Sequence, residues 1–146
     1  MKSMLSSMIA IAAAFHELQF DKAGEPYILH PLKVMYYLNT GDEELQCIAV
    51  GHDLLEDTDV TAQYLYEQGM TKRVVDAIQC LTKVKGETYA QYKEKVKSNR
   101  DAIRVKMADL RHNSDLRRLK GVRTEDMDRA NRYMQFYKEL QEALYA

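Results

Sequence analysis

Asp42-Glu43-Glu44-Leu45-Gln46-Cys47-Ile48-Ala49-Val50-Gly51-His52-Asp53-Leu54-Leu55-Glu56-Asp57 is the stretch on which both the fold and the chemistry of this chain turn. On a helix over about 42–56, Leu45, Cys47, Ile48, Ala49, Val50, Leu54 and Leu55 spread around the whole circumference. A helix that is apolar on nearly all sides belongs at the centre of a core. Yet this one carries His52, Asp53, Glu56 and Asp57, with His52 one turn from Glu56 and Asp53 one turn from Asp57. Burying several unpartnered carboxylates costs many kcal/mol, and a bound divalent cation would remove that conflict. The competing reading lets the helix surface at residue 52, so that Asp53, Glu56 and Asp57 form a solvated end.

Outward from this stretch the pattern stays helical. Pro and Gly number only 2 and 6, and no run alternates like a strand. The spacing predicts helices near 2–19, 31–40, 42–56, 60–69, 71–82, 88–98, 100–117 and 124–144. Breaks fall at Ala23-Gly24-Glu25-Pro26, Thr40-Gly41-Asp42, Gln68-Gly69, Lys85-Gly86 and Lys120-Gly121. The expectation is one all-α domain over 1–146, a bundle of about eight helices with short connections. Lys2 followed by Met8–Phe15 has a faint look of a signal peptide. The run is short, however, and Met4, Met8, Ile11, Phe15 and Leu18 keep helical spacing, so it reads as the first helix. No stretch is long and apolar enough to suggest a membrane span.

Composition narrows the function. Lys plus Arg is 21 against 22 for Asp plus Glu, without the basic excess of a nucleic-acid binder. An anionic ligand must therefore meet a local cluster of cations. Cys47 and Cys80 lie in apolar stretches without zinc or disulfide spacing. They read as free thiols of a reducing, cytoplasmic compartment. Nothing in the sequence sets an oligomeric state.

Two further clusters stand out. In Lys106-Met107-Ala108-Asp109-Leu110-Arg111-His112-Asn113, helical spacing makes Ile103, Met107 and Leu110 an apolar stripe. Lys106, Asp109, Asn113 and Arg117 form a polar stripe beside it, fit to line a cleft or simply to face water. His112 falls off both stripes and is not read as a ligand. In Glu25-Pro26-Tyr27-Ile28-Leu29-His30-Pro31, Pro31 should open a helix, with His30 fixed at its entrance. A lone His there would be structural; beside the His52-Asp53 doublet it becomes a candidate ligand. His30, His52, Asp53 and Asp109, without a thiolate, suit a divalent metal such as manganese, iron, cobalt or zinc. Open coordination positions would go to water and substrate.

Taken together, Lys22-Ala23-Gly24-Glu25-Pro26-Tyr27-Ile28-Leu29-His30-Pro31, His52-Asp53-Leu54-Leu55-Glu56-Asp57-Thr58 and Lys106-Met107-Ala108-Asp109 with Asn113 resemble the hydrolase domain of RelA/SpoT-type alarmone enzymes. The small stand-alone alarmone hydrolases are the most similar, over residues about 8 to 140. The resemblance implies an HD-type helical fold and a metal, usually manganese, on His30, His52, Asp53 and Asp109. It implies that Glu56 and Asp57 orient and activate the attacking water, and that Lys22 meets phosphate. It further implies that Asn113 lies near the ribose and that Arg129 and Tyr133 contact substrate. An ordinary exposed helix face is the competing reading of that last pair. Lys106 is a further candidate for neutralising phosphate. The implied reaction releases pyrophosphate from the 3′-diphosphate of guanosine tetra- or pentaphosphate or a related purine alarmone. The alternatives are an HD phosphohydrolase of another nucleotide, such as a nucleoside monophosphate or a phosphorylated dinucleotide, and a nucleotide-binding module without turnover. The expected partner is a small nucleotide, not a nucleic acid or a membrane.

The chain departs from the family at several points. The companion synthetase region of the long members is not expected within these 146 residues. Phe15-His16-Glu17-Leu18-Gln19 replaces the usual Ala-His-x-Gly-Gln. Asp21 stands where the family has an Arg that packs on the base. A carboxylate there cannot make a cation–π contact but can accept from an exocyclic amine, so a changed base preference is expected.

Overall fold

Polar caps start most of the helices. Ser3 accepts from the Ser6 N–H at the head of α1 (Met4–Phe15), and Asp42 from the Leu45 N–H at the head of α3 (Glu43–Gly51). Thr61 and Thr71 do the same for α5 (Ala62–Glu67) and α6 (Lys72–Cys80). Thr88 forms a full capping box with Gln91 on α7 (Tyr89–Lys97), and Asn99 caps α8 (Arg100–Asn113). With α2 (Leu29–Leu38), α4 (Leu54–Asp57), a 3-10 turn (Leu116–Arg118) and α9 (Thr124–Leu144), these make up the computed structural model, which describes residues 2–146. Among the described residues there is no strand, only an isolated bridge between Phe20 and Pro26 across the turn at Gly24 (φ 87°). No helix among them is long and apolar enough to cross a membrane.

The expected all-α bundle is borne out, and two of its expected helices differ in ways that matter for the site. The predicted 42–56 helix is broken at His52-Asp53 into α3 and α4, which brings the α-helices to nine among the described residues. The cause is local: the Ala49 carbonyl, which an unbroken helix would offer to the Asp53 N–H, accepts instead from the His52 ring at 2.7 Å. The second helix begins at Leu29 rather than Pro31, so His30 lies within its first turn. Pro31 is then third in the helix, where an N–H has no intrahelical partner to lose.

The apolar circumference of α3 does what it predicts. Leu45, Cys47, Ile48, Ala49, Val50 and Gly51 are all buried, with α1, α2, α6 and α8 packed around them. Gly51 lets α1 approach, since a Cβ there would lie 2.7 Å from Met8 Cε. Helix α8 is the second central element, against α2, α3, α6, α7 and α9. Helix α9 packs along it and buries Phe136 and Leu140, with Phe136 edge-on to Tyr89 and Tyr92 of α7. The buried C-terminal end of α3 and the C-terminal half of α8 thus meet beside the first turn of α2.

A candidate metal centre at the head of a cationic cleft

Where those three elements meet, four predicted ligands converge. His30 Nε2 lies 2.8 Å from Asp109 Oδ1, and His52 Nε2 lies 3.3 Å from the same oxygen. Asp53 Oδ2 is 3.1 Å from His52 Nε2 and 3.7 Å from His30 Nε2. Two residues adjacent in an unbroken helix point about 100° apart. The break after Gly51 is what allows His52 and Asp53 to face one point. One donor atom from each of His30, His52 and Asp109 falls within 4.8 Å of the others, and all three residues are buried.

The surrounding bonds decide which atoms are free to coordinate. The Ala49 carbonyl takes the Nδ1–H of His52, leaving the Nε2 lone pair toward the centre. Lys106 donates to Asp109 Oδ2 at 2.8 Å, and Asn113 Nδ2 to Oδ1 at 3.0 Å. The Tyr27 hydroxyl donates to Asp53 Oδ2. The Tyr27 ring is held between His30, at 5.6 Å, and His16, at 5.0 Å. Burial works against charge here, and the partners override it. Burial raises Asp109, but Lys106 and the two imidazoles bring it well below the carboxylate range. Burial likewise raises Asp53, but chiefly His52 brings it to about 2. Burial lowers His52, but Asp53 and Asp109 lift it well above an ordinary imidazole. A buried carboxylate and a part-buried one, gathered with two imidazoles at one point, form a donor set that a divalent cation fits.

Beside the centre opens a cleft of about 310 Å³, reached by His30 and Tyr27 and walled by Lys22, Asn113, Arg118, Arg129 and Tyr133. Four residues expected to touch substrate, Lys22, Asn113, Arg129 and Tyr133, therefore share one cavity with a metal-ligand candidate. Lys106 does not line that cleft; its ammonium rests on Asp109 and over the Tyr92 ring, 5.5 Å from the centroid. Asp21 lines the cleft beside Lys22. Its Oδ1 accepts from the Ala23 and Glu25 N–H groups at 2.9 Å each, and its Oδ2 faces Arg118 Nη2 at 3.3 Å. The carboxylate closes the turn that carries Lys22 and anchors a cleft arginine, so both of its oxygens are already engaged.

Glu56 and Asp57 sit on α4, one turn past Asp53, and both are exposed. Glu56 Oε1 accepts from the Lys83 N–H at 2.8 Å. Partial burial, then the charges of Asp53 and Glu56, push the Asp57 carboxyl up to about 6. Three residues of the site had no role from sequence. Tyr27 holds a ligand carboxylate. Arg118 joins the cleft from the 3-10 turn. His112 is buried against His30, with Nδ1 to Nδ1 at 2.7 Å. The signal for His112 was the i, i+3, i+7 run of Val105, Ala108 and His112, a second buried stripe on α8.

Fold and site together define an HD-type helical domain with a His-His-Asp centre. Comparison with known proteins shows that the chain is similar to one part of longer proteins named as (p)ppGpp pyrophosphohydrolases. The chain is 35% identical over 138 residues to the guanosine-3′,5′-bis(diphosphate) 3′-pyrophosphohydrolase of Aquifex aeolicus, a match that covers 90% of this chain and 19% of that protein. It is 31% identical over 144 residues to the bifunctional (p)ppGpp synthase/hydrolase SpoT of Escherichia coli, covering 89% and 20%. The chain thus spans about a fifth of the length of these curated relatives. A solved structure described as a metazoan ortholog of SpoT that hydrolyses ppGpp superposes with a TM-score of 0.76 at 23% identity, covering 99% of this chain and 86% of that one. No protein-family model matches the chain.

Proposed function

We propose that this domain is a metal-dependent phosphohydrolase that removes pyrophosphate from the 3′-diphosphate of guanosine tetra- or pentaphosphate or a related purine alarmone. The observation that carries the reading is the convergence of His30, His52, Asp53 and Asp109 at the head of a cleft walled by Lys22, Arg118 and Arg129. The names of the relatives point the same way.

His30, His52, Asp53 and Asp109 would hold the ion, manganese by resemblance, which when bound supplies Lewis acidity and a water of lowered pKa. The rest is the work of the chain. Lys106 and Tyr27 keep the Asp109 and Asp53 carboxylates aimed inward. Lys22 and Arg129 neutralise phosphate oxygens with charge-assisted bonds. Asn113, bonded to Asp109, stands between the centre and the cleft wall, where a ribose would lie. Glu56 and Asp57 flank Asp53 on α4 and are the groups to orient water and take its proton. An Asp57 carboxyl near pH 6 is matched to proton transfer close to neutrality.

The test is purified protein with manganese against a panel of nucleotides, with product identification. Pyrophosphate from a purine 3′-diphosphate is the expected result. Dephosphorylation only of a 5′-monophosphate or a dinucleotide would move the protein to another HD substrate. Tight nucleotide binding without turnover, including in single-turnover conditions, would make it a binding module.

A further inference from the structure

The two imidazoles of the centre are oriented by different means. His52 is fixed by a backbone carbonyl, which no substitution can remove. His30 has no such carbonyl. Its Nδ1 lies 2.7 Å from the Nδ1 of His112, a buried side chain on α8. The ring centroids are 5.0 Å apart and the planes differ by 16°. With that nitrogen–nitrogen gap, the rings lie edge to edge and nearly coplanar, so one N–H points along the line to the other nitrogen's lone pair. The two nitrogens cannot both carry the proton or both lack it. His30 Nε2 is the atom that faces Asp109 and Asp53. For that atom to offer a lone pair, the proton must sit on Nδ1, and His112 must accept it.

We propose that His112 is a positioning residue for the metal centre: its Nδ1 accepts the His30 Nδ1–H, which fixes the tautomer and rotation of His30 and so sets the affinity for the ion. The architecture supports the task. His112 is itself held from two sides, by Tyr37 packed edge-on at 6.0 Å and by Arg118, which donates to its backbone carbonyl at 3.0 Å. A partner to a ligand imidazole typically changes metal affinity by about 10–100-fold when removed. The inference rests on the reading of His30 as a ligand.

The experiment measures manganese binding by calorimetry or by the free-ion electron paramagnetic resonance signal, together with the melting temperature of the metal-free protein. His112→Phe keeps a buried ring without an acceptor. His112→Asn keeps an acceptor close to the Nδ1 position. The expected result is a Kd weakened by roughly 10–100-fold in His112→Phe and restored to within a few-fold of wild type in His112→Asn. The order of the two melting temperatures should not follow that of the affinities. Where His112→Phe does not fold, His112→Ala carries the same comparison. Wild-type affinity in both His112→Phe and His112→Ala overturns the proposal. So does equal weakening in all variants, which would make His112 a packing residue only. A wild-type protein that binds no manganese, zinc or iron would instead overturn the metal centre itself, a separable outcome.

Discussion

Helices α3 and α8 carry carboxylate clusters at both ends, and the two clusters are built on opposite logic. At the N-terminal ends, Asp42, Glu44 and Asp101 surround Arg73 of α6. Its guanidinium bonds to Asp101 at 2.8 and 2.9 Å, to Asp42 at 2.8 Å and to Glu44 at 3.2 Å. These groups are part-exposed, the helix dipoles favour negative charge there, and the chain supplies its own cation. At the other ends, Asp53 and Asp109 are packed among His30 and His52, and Asp109 is 5% exposed. The dipoles there disfavour anions, and Lys106 reaches only one oxygen of Asp109. Negative charge gathered where the fold already compensates it is structural. Negative charge gathered where the fold opposes it, beside imidazoles, marks a place for an ion.

The sharpest test of that contrast changes one aspartate at each end of α8. Asp109→Ala should abolish stoichiometric metal binding and lower kcat/KM by at least about a thousandfold, as expected when several kcal/mol of charge stabilisation is lost. Asp101→Ala should leave metal affinity and kcat/KM within about twofold while lowering stability by roughly 1–3 kcal/mol, read by urea denaturation, as for a charge-assisted pair. Metal loss in Asp101→Ala, or full metal in Asp109→Ala, would dissolve the distinction.

One step smaller is Glu56→Gln. Glu56 lies a turn beyond the ligands and does not touch them, so the variant should retain metal and fold but lose turnover by about two orders of magnitude. Normal turnover would remove Glu56 from the reaction, and loss of metal would draw it into the coordination sphere.

Much of this was legible in the sequence because the relevant signals are local. Residues 124–144 form the predicted helix, α9, to the residue. The circumference of α3 foretold its burial, and the conflict between burial and charge in 42–57 pointed to the candidate centre. What stayed hidden depends on bonds made across space or against the helical rule. The His52 ring taking the Ala49 carbonyl breaks a helix that periodicity runs straight through. His112 seemed to fall outside the useful faces because a two-stripe reading of α8 assumes one packed side, while α8 is packed by α2, α3, α6, α7 and α9. Lys106 was read as a phosphate contact from its place on the polar stripe. Spacing alone cannot tell that its ammonium closes on Asp109, a turn away.

The cost of holding unpaired acids near the centre should be visible in the pH dependence of the metal-free protein. Asp57 titrates at about 6 when folded, raised from 3.8 by partial burial, then by Asp53 and Glu56. A raised carboxyl favours the folded state below its unfolded value, and this advantage is lost as pH rises through the folded value. Asp57→Asn should therefore raise the melting temperature of metal-free protein at pH 8 by roughly 2–4 °C, the size of about 1 kcal/mol once solvent screening of an exposed group is allowed for. The difference should vanish at pH 4. The opposite sign at pH 8, or an equal gain at both pH values, would show that Asp57 is not electrostatically opposed.

The smallest effect is expected at Asp21, and it bears on base selection. A carboxylate free to face the base would discriminate purines by their exocyclic amines, and its loss would change the ratio of guanosine to adenosine substrates. The observed carboxylate is already engaged, with Oδ1 on two backbone N–H groups and Oδ2 on Arg118. Asp21→Asn can keep the Oδ1 bonds through its amide oxygen and so keep the turn that presents Lys22. It loses only the charge opposite Arg118, a part-exposed pair worth roughly 0.2–1 kcal/mol. Arg118 stays tied to the His112 carbonyl at 3.0 Å and to Asn113 Oδ1 at 3.3 Å, so its guanidinium should remain in the cleft wall. The expected outcome is a change in kcat/KM of about threefold or less, the same for guanosine and adenosine 3′-diphosphates, appearing in KM rather than kcat. A shift of the guanine-to-adenine ratio by about tenfold, equivalent to roughly 1.4 kcal/mol of discrimination, would mean that position 21 reads the base after all.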